Sequence, residues 1–273
     1  MQIISVDNPQ NPELTDYLDI PDPLLLRKSG LFVAESRFVV RELLTHHTLR
    51  TRSLLVTTAA LDSLRDLLDA RPGDLPIYVG TQQFLKRIVG FNIHRGCLAL
   101  GERPKHIPVN PLLQQPSTRL AVVLENVSNP DNLGSIFRNA AAFGVDCVLL
   151  SPHCCDPLYR KAIRTSIGAT LRVPYTTIEH WPEGLHQLKD LGFTTIALTT
   201  EVHAEDIGNV LPKLLKRVAL LFGSEGAGLS QSATVRTDIQ ARIPIAPEID
   251  SLNVATASGI ALFTISSLKR NQS

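Results

Sequence analysis

The sequence lacks the features that mark secreted, membrane-bound and zinc-binding proteins. Its 273 residues include four cysteines, and no two of them form a CxxC pair of the kind that binds zinc. No apolar run reaches the roughly 20 residues of a transmembrane helix. The first residues include several acids and have no basic start followed by an apolar core, which argues against a signal peptide. We therefore expect a cytoplasmic protein with free thiols, no metal site and no membrane association.

The sequence also lacks an excess of either charge sign. Lys and Arg total 27 against 26 Asp and Glu, which gives a formal net charge of +1. Overall charge therefore gives no sign of nucleic-acid binding, although a local basic patch can still contact phosphates. Two basic patches are present, and each is either a phosphate contact or a solvated helix face. They consist of Arg37, Arg41, His46, His47, Arg50 and Arg52, and of Arg160, Lys161, Arg164 and Arg172.

Strand-like and helix-like segments alternate along the chain, which predicts an α/β fold in two parts. Residues 1–104 form the smaller part. Residues 105–118 contain three prolines and show no clear hydrophobic period, which is typical of a linker. Residues 119–273 form the larger part.

The larger part begins with an apolar run followed by a polar segment. Leu120–Leu124 reads as a buried strand. It leads into Asn126–Arg138, where Asn129 followed by Pro130 predicts the start of a helix that ends before Gly144.

Two further segments follow strand-like runs later in the chain. Val218–Phe222 leads into Gly223–Gly228, whose three glycines allow the backbone to approach a ligand closely. Ile243–Asn253 precedes a helical run, Val254–Leu268, and Ser251 is the predicted N-cap. Ligands bind at the carboxyl ends of strands in α/β sheets, so these segments predict one shared site. They match neither GxGxxG nor GxxxxGK[ST], which argues against a nucleotide-phosphate loop and a nucleotide-dependent enzyme.

Together the three segments resemble the motifs of the SpoU/TrmH family of SPOUT-class RNA methyltransferases. The matching strings are N-V-x-N-P-x-N-x-G-S-x-x-R-x-A from Asn126, F-G-S-E-G-x-G-L from Phe222, and I-P-I followed by S-L-N-V-A from Ile243. They occur in the order and with the spacing of the family, and the match covers Leu120–Leu268. Residues 1–104 resemble, more weakly, the RNA-binding domain of the family.

The resemblance implies a C-terminal methyltransferase domain with a trefoil knot, a smaller N-terminal RNA-binding domain and a homodimer. It implies that S-adenosylmethionine donates a methyl group to a ribose 2′-hydroxyl of RNA, ribosomal RNA being favoured over transfer RNA. It also assigns site residues. Those expected to hold the cofactor are Thr199, Gly223, Ile243 and Leu252, and those expected to form or support the catalytic set are Arg138, Ser251, Asn253, Asn126 and Glu225.

A protein on the same scaffold could instead bind RNA without catalysis. The presence of Arg138, Ser251 and Asn253 favours the enzyme. Arginine is always protonated, so Arg138 is expected to orient the phosphate next to the reacting ribose rather than to act as a base.

Overall fold

The computed structural model describes residues 2–18, 22–71, 73–90, 96–210 and 216–270. In this part of the chain, the strands are β1 (Gln2–Ser5), β2 (Leu31–Glu35), β3 (Arg50–Val56), β4 (Pro76–Val79), β5 (Cys97–Glu102), β6 (Leu120–Leu124), β7 (Cys147–Leu150), β8 (Tyr175–Thr177), β9 (Thr194–Leu198), β10 (Glu205–Asp206), β11 (Val218–Phe222) and β12 (Ile239–Arg242). The α-helices are α1 (Asp22–Ser29), α2 (Arg37–Thr45), α3 (Thr58–Asp62), α4 (Arg65–Asp69), α5 (Gln82–Val89), α6 (Val109–Leu113), α7 (Pro130–Ala142), α8 (Arg160–Thr165), α9 (Ala169–Arg172), α10 (His186–Asp190), α11 (Gln231–Thr234) and α12 (Val254–Arg270).

These elements form two compact units. Unit 1 comprises Met1–Lys105 together with Leu158–Leu171, and unit 2 comprises His106–Pro157 and Arg172–Ser273. The segment Leu158–Leu171, which the sequence places inside the larger part, thus packs with unit 1. The limits 1–104, 105–118 and 119–273 stay a prediction about functional domains.

Unit 1 is built on a five-stranded mixed sheet. Its strand order is β1-β4-β3-β5-β2. The pairs β1–β4 and β4–β3 are parallel, whereas β3–β5 and β5–β2 are antiparallel. Apolar side chains from the parallel and the antiparallel strands form one core, which includes Leu55, Tyr78 and Leu98.

Unit 2 is built on a seven-stranded sheet in which all strand pairs are parallel. Its order is β10-β12-β9-β11-β6-β7-β8. The central strands β6 and β11 are buried along their whole length, as expected for a parallel sheet covered on both faces. Leu124 pairs with Phe222, and Leu198 pairs with Ala241, so these strands end close to one edge.

The two long helices of unit 2 begin near that edge. Asn129 caps α7 by accepting a hydrogen bond from the Asp131 N–H at 2.8 Å, which confirms the predicted helix start. The prediction that Ser251 caps the last helix is wrong. The Oδ1 of Asn253 accepts instead from the N–H groups of Ala255 and Thr256, at 2.9 and 3.3 Å. Asparagine is as good an N-cap as serine, so the helical pattern alone did not distinguish the two.

No helix in the described ranges is both long enough and apolar enough to cross a bilayer.

Candidate active site

A cavity of about 390 Å³ lies at the carboxyl edge of the parallel sheet of unit 2. Its walls come from residues within 198–201, 222–229, 243–245 and 251–257. These segments follow β9, β11 and β12 and lead into α12. The parallel sheet therefore brings together, at one place, loops that are far apart in sequence.

The loop after β11 is folded tightly on itself. Ser224 and Gly228 form an isolated β-bridge, and the Gly228 N–H donates to the Ser224 carbonyl at 3.0 Å. A Cβ atom at Gly223 would overlap the backbone of Gly228, so only glycine fits at this position. The result is a thin wall of backbone that can approach a ligand closely.

A hydrogen-bond network centred on Asn253 joins this loop to both long helices. The Asn253 amide nitrogen donates to Glu225 Oε1 at 2.5 Å and to Asn132 Oδ1 at 3.0 Å. Its amide oxygen caps α12. Asn132 lies on α7 and is 8% exposed. Because both ends of the amide are engaged, the Asn253 side chain holds one orientation.

Comparison with known proteins shows which family this chain belongs to. The model of the SpoU rRNA methylase family matches residues 119–263. An uncharacterised tRNA/rRNA methyltransferase of Mycobacterium bovis is 36% identical over 268 residues, which cover 96% of this chain and 91% of the relative. The chain belongs to the SpoU rRNA methylase family.

Solved structures show the same fold. An rRNA methyltransferase from Sinorhizobium meliloti, determined with bound AdoMet, superimposes with a TM-score of 0.81 at 23% identity and covers 97% of this chain and 98% of its own. The SpoU methyltransferase AviRb from Streptomyces viridochromogenes gives a TM-score of 0.79 at 20% identity and covers 96% and 99% of the two chains. The predicted α/β SPOUT fold is thereby confirmed, while the trefoil knot itself stays a prediction.

The cavity of this SpoU protein contains most of the residues that the motifs single out. The lining includes Thr199, Gly223, Ile243 and Leu252 from the predicted cofactor set and Glu225, Ser251 and Asn253 from the predicted catalytic set. The roles of these residues stay predictions, whereas the fold itself brings them together around one cavity.

Two predicted residues, Asn126 and Arg138, do not line the cavity. Asn126 adopts a left-handed conformation with φ 56°, which asparagine tolerates. Its N–H donates to Ser151 Oγ at 2.9 Å, and the Ser151 hydroxyl donates back to Asn126 Oδ1 at 3.3 Å. Arg138 is exposed on α7. Asn126 therefore supports the loop after β6, and Arg138 presents its charge on the surface of unit 2.

Sequence reasoning missed two residues that the structure places at the site. Asn132 belongs to the first motif, but its contact with Asn253 spans 121 residues and has no local signal. Glu201 lines the cavity just after β9. An acid three residues after a strand was the available sign for Glu201, and such an acid is too common to be decisive alone.

The charged side chains that line the cavity are all acidic. They are Glu201 and Glu225, and the lining includes no lysine, arginine or histidine from the described residues. Glu225 is engaged by Asn253. Glu201 stays 63% exposed, with His203 Nδ1 at 3.9 Å from its carboxylate. The cavity thus suits a cationic ligand better than a phosphate.

Both basic patches lie largely in unit 1 and are partly engaged in ion pairs. Arg41 forms a two-pronged pair with Asp66, with distances of 2.9 and 2.6 Å. Arg160 and Arg164 lie 3.9 and 4.0 Å from the buried carboxylate of Glu35. The Arg164 side chain is nevertheless 56% exposed, so part of its charge faces solvent.

The four cysteines are free, as predicted. Burial raises the pKa of the Cys97 and Cys147 thiols to about 12. Burial also raises the pKa of Cys154. These thiols are protonated at neutral pH and poorly suited to act as nucleophiles.

No group of three His, Cys, Asp or Glu side chains in the described residues could hold a metal ion.

Proposed function

We propose that this SpoU family member transfers the methyl group of S-adenosylmethionine to a ribose 2′-hydroxyl of RNA, with ribosomal RNA as the substrate. The observation that carries the proposal is the cavity to which the second and third motifs both contribute, with only acids among its charged lining residues. S-adenosylmethionine carries a sulfonium and an ammonium group, which such a cavity attracts.

The residues around the cavity fit this cofactor. Backbone groups of Gly223, Ile243 and Leu252 would hold it, with Thr199 beside it. Glu201 would supply a negative charge near the sulfonium. When bound, S-adenosylmethionine supplies a methyl group that is already activated for transfer, and the protein is left to orient and deprotonate the acceptor hydroxyl.

Arg138 and Ser251 act on the RNA in this proposal. The Arg138 guanidinium binds and orients the phosphate next to the reacting ribose, and an oxygen of that phosphate accepts the proton as the hydroxyl attacks. Ser251, an exposed residue of the cavity lining, holds the ribose by a hydrogen bond. Asn253 holds Glu225 and α12 in place.

A homodimer would allow Arg138 to reach a cavity that it does not line. Arg138 is exposed on α7, which packs on α12. The same helix pair exposes Phe263, at 61%, and Ile260, at 38%, and the ring of Phe143 meets that of Phe263 edge to face with a centroid distance of 6.2 Å. Apolar side chains on a helix pair suit self-association. We propose that a second copy packs here and that Arg138 of one copy completes the cavity of the other.

The first test is cofactor binding and activity. Calorimetry should detect S-adenosylmethionine binding to the wild-type protein. Arg138→Ala should abolish methyl transfer and leave cofactor affinity unchanged, whereas Arg236→Ala, which removes a surface arginine paired with Glu183 at 3.1 Å, should retain activity. Full activity of Arg138→Ala would refute its role. A wild-type protein that binds RNA but not the cofactor would favour the non-catalytic alternative.

Mixed dimers test whether Arg138 acts across the interface. Arg138→Ala and Ser251→Ala are each expected to be inactive. If each cavity takes Arg138 from the other copy, mixing the two variants should restore one intact site in each mixed dimer and recover activity. Both variants inactive alone and in the mixture would place Arg138 and Ser251 of one site on the same copy.

The substrate is tested in cells. Ribose methylation mapped in total RNA with and without this gene should show one lost methylation in ribosomal RNA. A loss in transfer RNA alone would overturn the choice of substrate while leaving the chemistry intact.

A further inference from the structure

Glu125 lies directly after β6, outside the set of residues that the motifs single out. It is 2% exposed, although a buried carboxylate is costly without compensating hydrogen bonds. Three donors supply that compensation. The Trp181 indole and the Ser230 hydroxyl donate to Oε1 at 2.6 and 2.7 Å, and the Ser230 N–H donates to Oε2 at 2.7 Å.

Two of these bonds fix the end of the glycine-rich wall of the cavity. The loop 223–229 leads into Ser230, which is the N-cap of α11. The Ser230 hydroxyl donates to Glu125 and also accepts from the Ala233 N–H at 3.2 Å. The carboxylate therefore holds both the backbone and the side chain of the residue at which the loop ends.

The backbone of Glu125 fixes the beginning of the same loop. Its N–H donates to the carbonyl of Phe222 at 2.9 Å, and Phe222 is the last residue of β11 before Gly223. Glu125 thus contacts both ends of a seven-residue segment that lines the cavity. Holding the ends of a loop lowers the entropy that the loop loses when a ligand orders it.

We propose that Glu125 is a positioning residue that clamps the loop 223–229 and sets the affinity of the cavity for S-adenosylmethionine. The inference rests on the proposed function for its ligand. The clamp itself is a property of the chain without the ligand. It acts through Ser230, whereas the Trp181 bond attaches the same carboxylate to a segment that does not line the cavity.

Because Ser230 ends the cavity loop and Trp181 lies outside the cavity lining, variants of the two residues can be compared directly. Ser230→Ala removes the hydroxyl bond on the loop side, and Trp181→Phe removes the indole bond on the other side. Glu125→Gln keeps the shape of the side chain but weakens all three bonds. Ser230→Thr keeps a hydroxyl and is the conservative rescue.

Calorimetry with S-adenosylmethionine gives the first measurement. Ser230→Ala and Glu125→Gln should weaken binding about ten-fold, which is the size expected for losing one hydrogen bond to a charged group. Ser230→Thr should bind within about two-fold of wild type, and so should Trp181→Phe, even though its melting temperature falls. Wild-type affinity in Ser230→Ala, or an equal loss in Trp181→Phe, would overturn the proposal.

Hydrogen exchange of the ligand-free protein gives a measurement that does not depend on the cofactor. Amides of residues 223–229 should exchange about ten-fold faster in Ser230→Ala than in wild type. In Trp181→Phe they should exchange at the wild-type rate. Equal exchange in wild type and Ser230→Ala would refute the clamp. If exchange accelerates as expected but the wild type does not bind S-adenosylmethionine, the clamp stands, and the proposed ligand is the part that fails.

Discussion

The two sheets of this protein differ in strand direction, and the difference explains where the cavity lies. In unit 2 every strand pair is parallel, so the loops after β9, β11 and β12 leave the sheet at the same edge. In unit 1 β5 runs against both of its neighbours, β3 and β2, so its carboxyl end lies at the edge opposite theirs. A parallel sheet therefore gathers distant loops without any attraction between them, and a mixed sheet does so only in part.

The buried carboxylates of the two units also differ in the groups that surround them. Glu35 of unit 1 is 1% exposed and lies near the guanidinium groups of Arg160 and Arg164. Glu125 of unit 2 is surrounded by neutral donors. Neutral donors fix a carboxylate without bringing a cation near the cavity, which suits a site that receives a positively charged ligand.

The strongest effect on the comparison between the two sheets should come from filling the cavity at the edge of the parallel sheet. Gly223→Ala places a methyl group against the backbone of Gly228. We expect S-adenosylmethionine affinity to fall about 100-fold, because the wall must move into the cavity or unfold locally. The matched control is Gly208→Ala, where an added Cβ meets nothing within 4 Å. Calorimetry on both variants measures the difference, and equal affinities would show that the loop adapts freely.

Helix caps in the two units should differ in their effect on the site. Asn253→Ala removes the cap of α12 and the bonds to Glu225 and Asn132, so we expect a loss of about 2 kcal/mol in unfolding free energy together with weaker cofactor binding.

Thr81→Ala is the control for that variant, because Thr81 Oγ1 accepts from the Phe84 N–H at 3.1 Å and caps α5 of unit 1. It should cost about 1 kcal/mol and leave cofactor affinity unchanged. Denaturant unfolding and calorimetry separate the two effects. A binding defect in Thr81→Ala as large as that in Asn253→Ala would contradict the conclusion that unit 2 alone forms the cavity.

A smaller effect is expected from the charge of the cavity. Glu201→Gln should weaken binding of S-adenosylmethionine about two- to five-fold, the range for an exposed charge pair, and leave S-adenosylhomocysteine unaffected, because only the former carries a sulfonium. Glu205→Gln alters an exposed acid of β10 outside the cavity lining and serves as control. If both ligands lose affinity equally, Glu201 contributes through shape rather than charge.

The smallest effect concerns an exposed ion pair of unit 1. The hydrogen bonds from Arg41 hold the pKa of Asp66 below its usual value. Stability from this pair is therefore present above the unfolded-state pKa of about 4 and is lost as the pH falls through the lower folded-state value. Arg41→Met should lower the melting temperature slightly at pH 7 and by less at pH 3. An equal decrease at both pH values would assign the effect to lost packing of the Arg41 stem.

Local sequence patterns were sufficient to predict the order of elements and to identify the motifs. The strands Leu120–Leu124 and Val218–Phe222 occur where the apolar runs predict them. Asn129 caps its helix as predicted. Such features depend on neighbours within a few residues, and local physics is sufficient to specify them.

The contacts between distant polar groups, in contrast, depend on how the chain folds in three dimensions. Asn253 rather than Ser251 caps α12, Asn132 contacts Asn253 across 121 residues, and the carboxylate of Glu125 reaches Ser230 across 105. The fold also places Arg138 outside the cavity that its motif predicted it would line. These contacts are set by strand order and register, which bring together side chains with no short-range relation in the sequence.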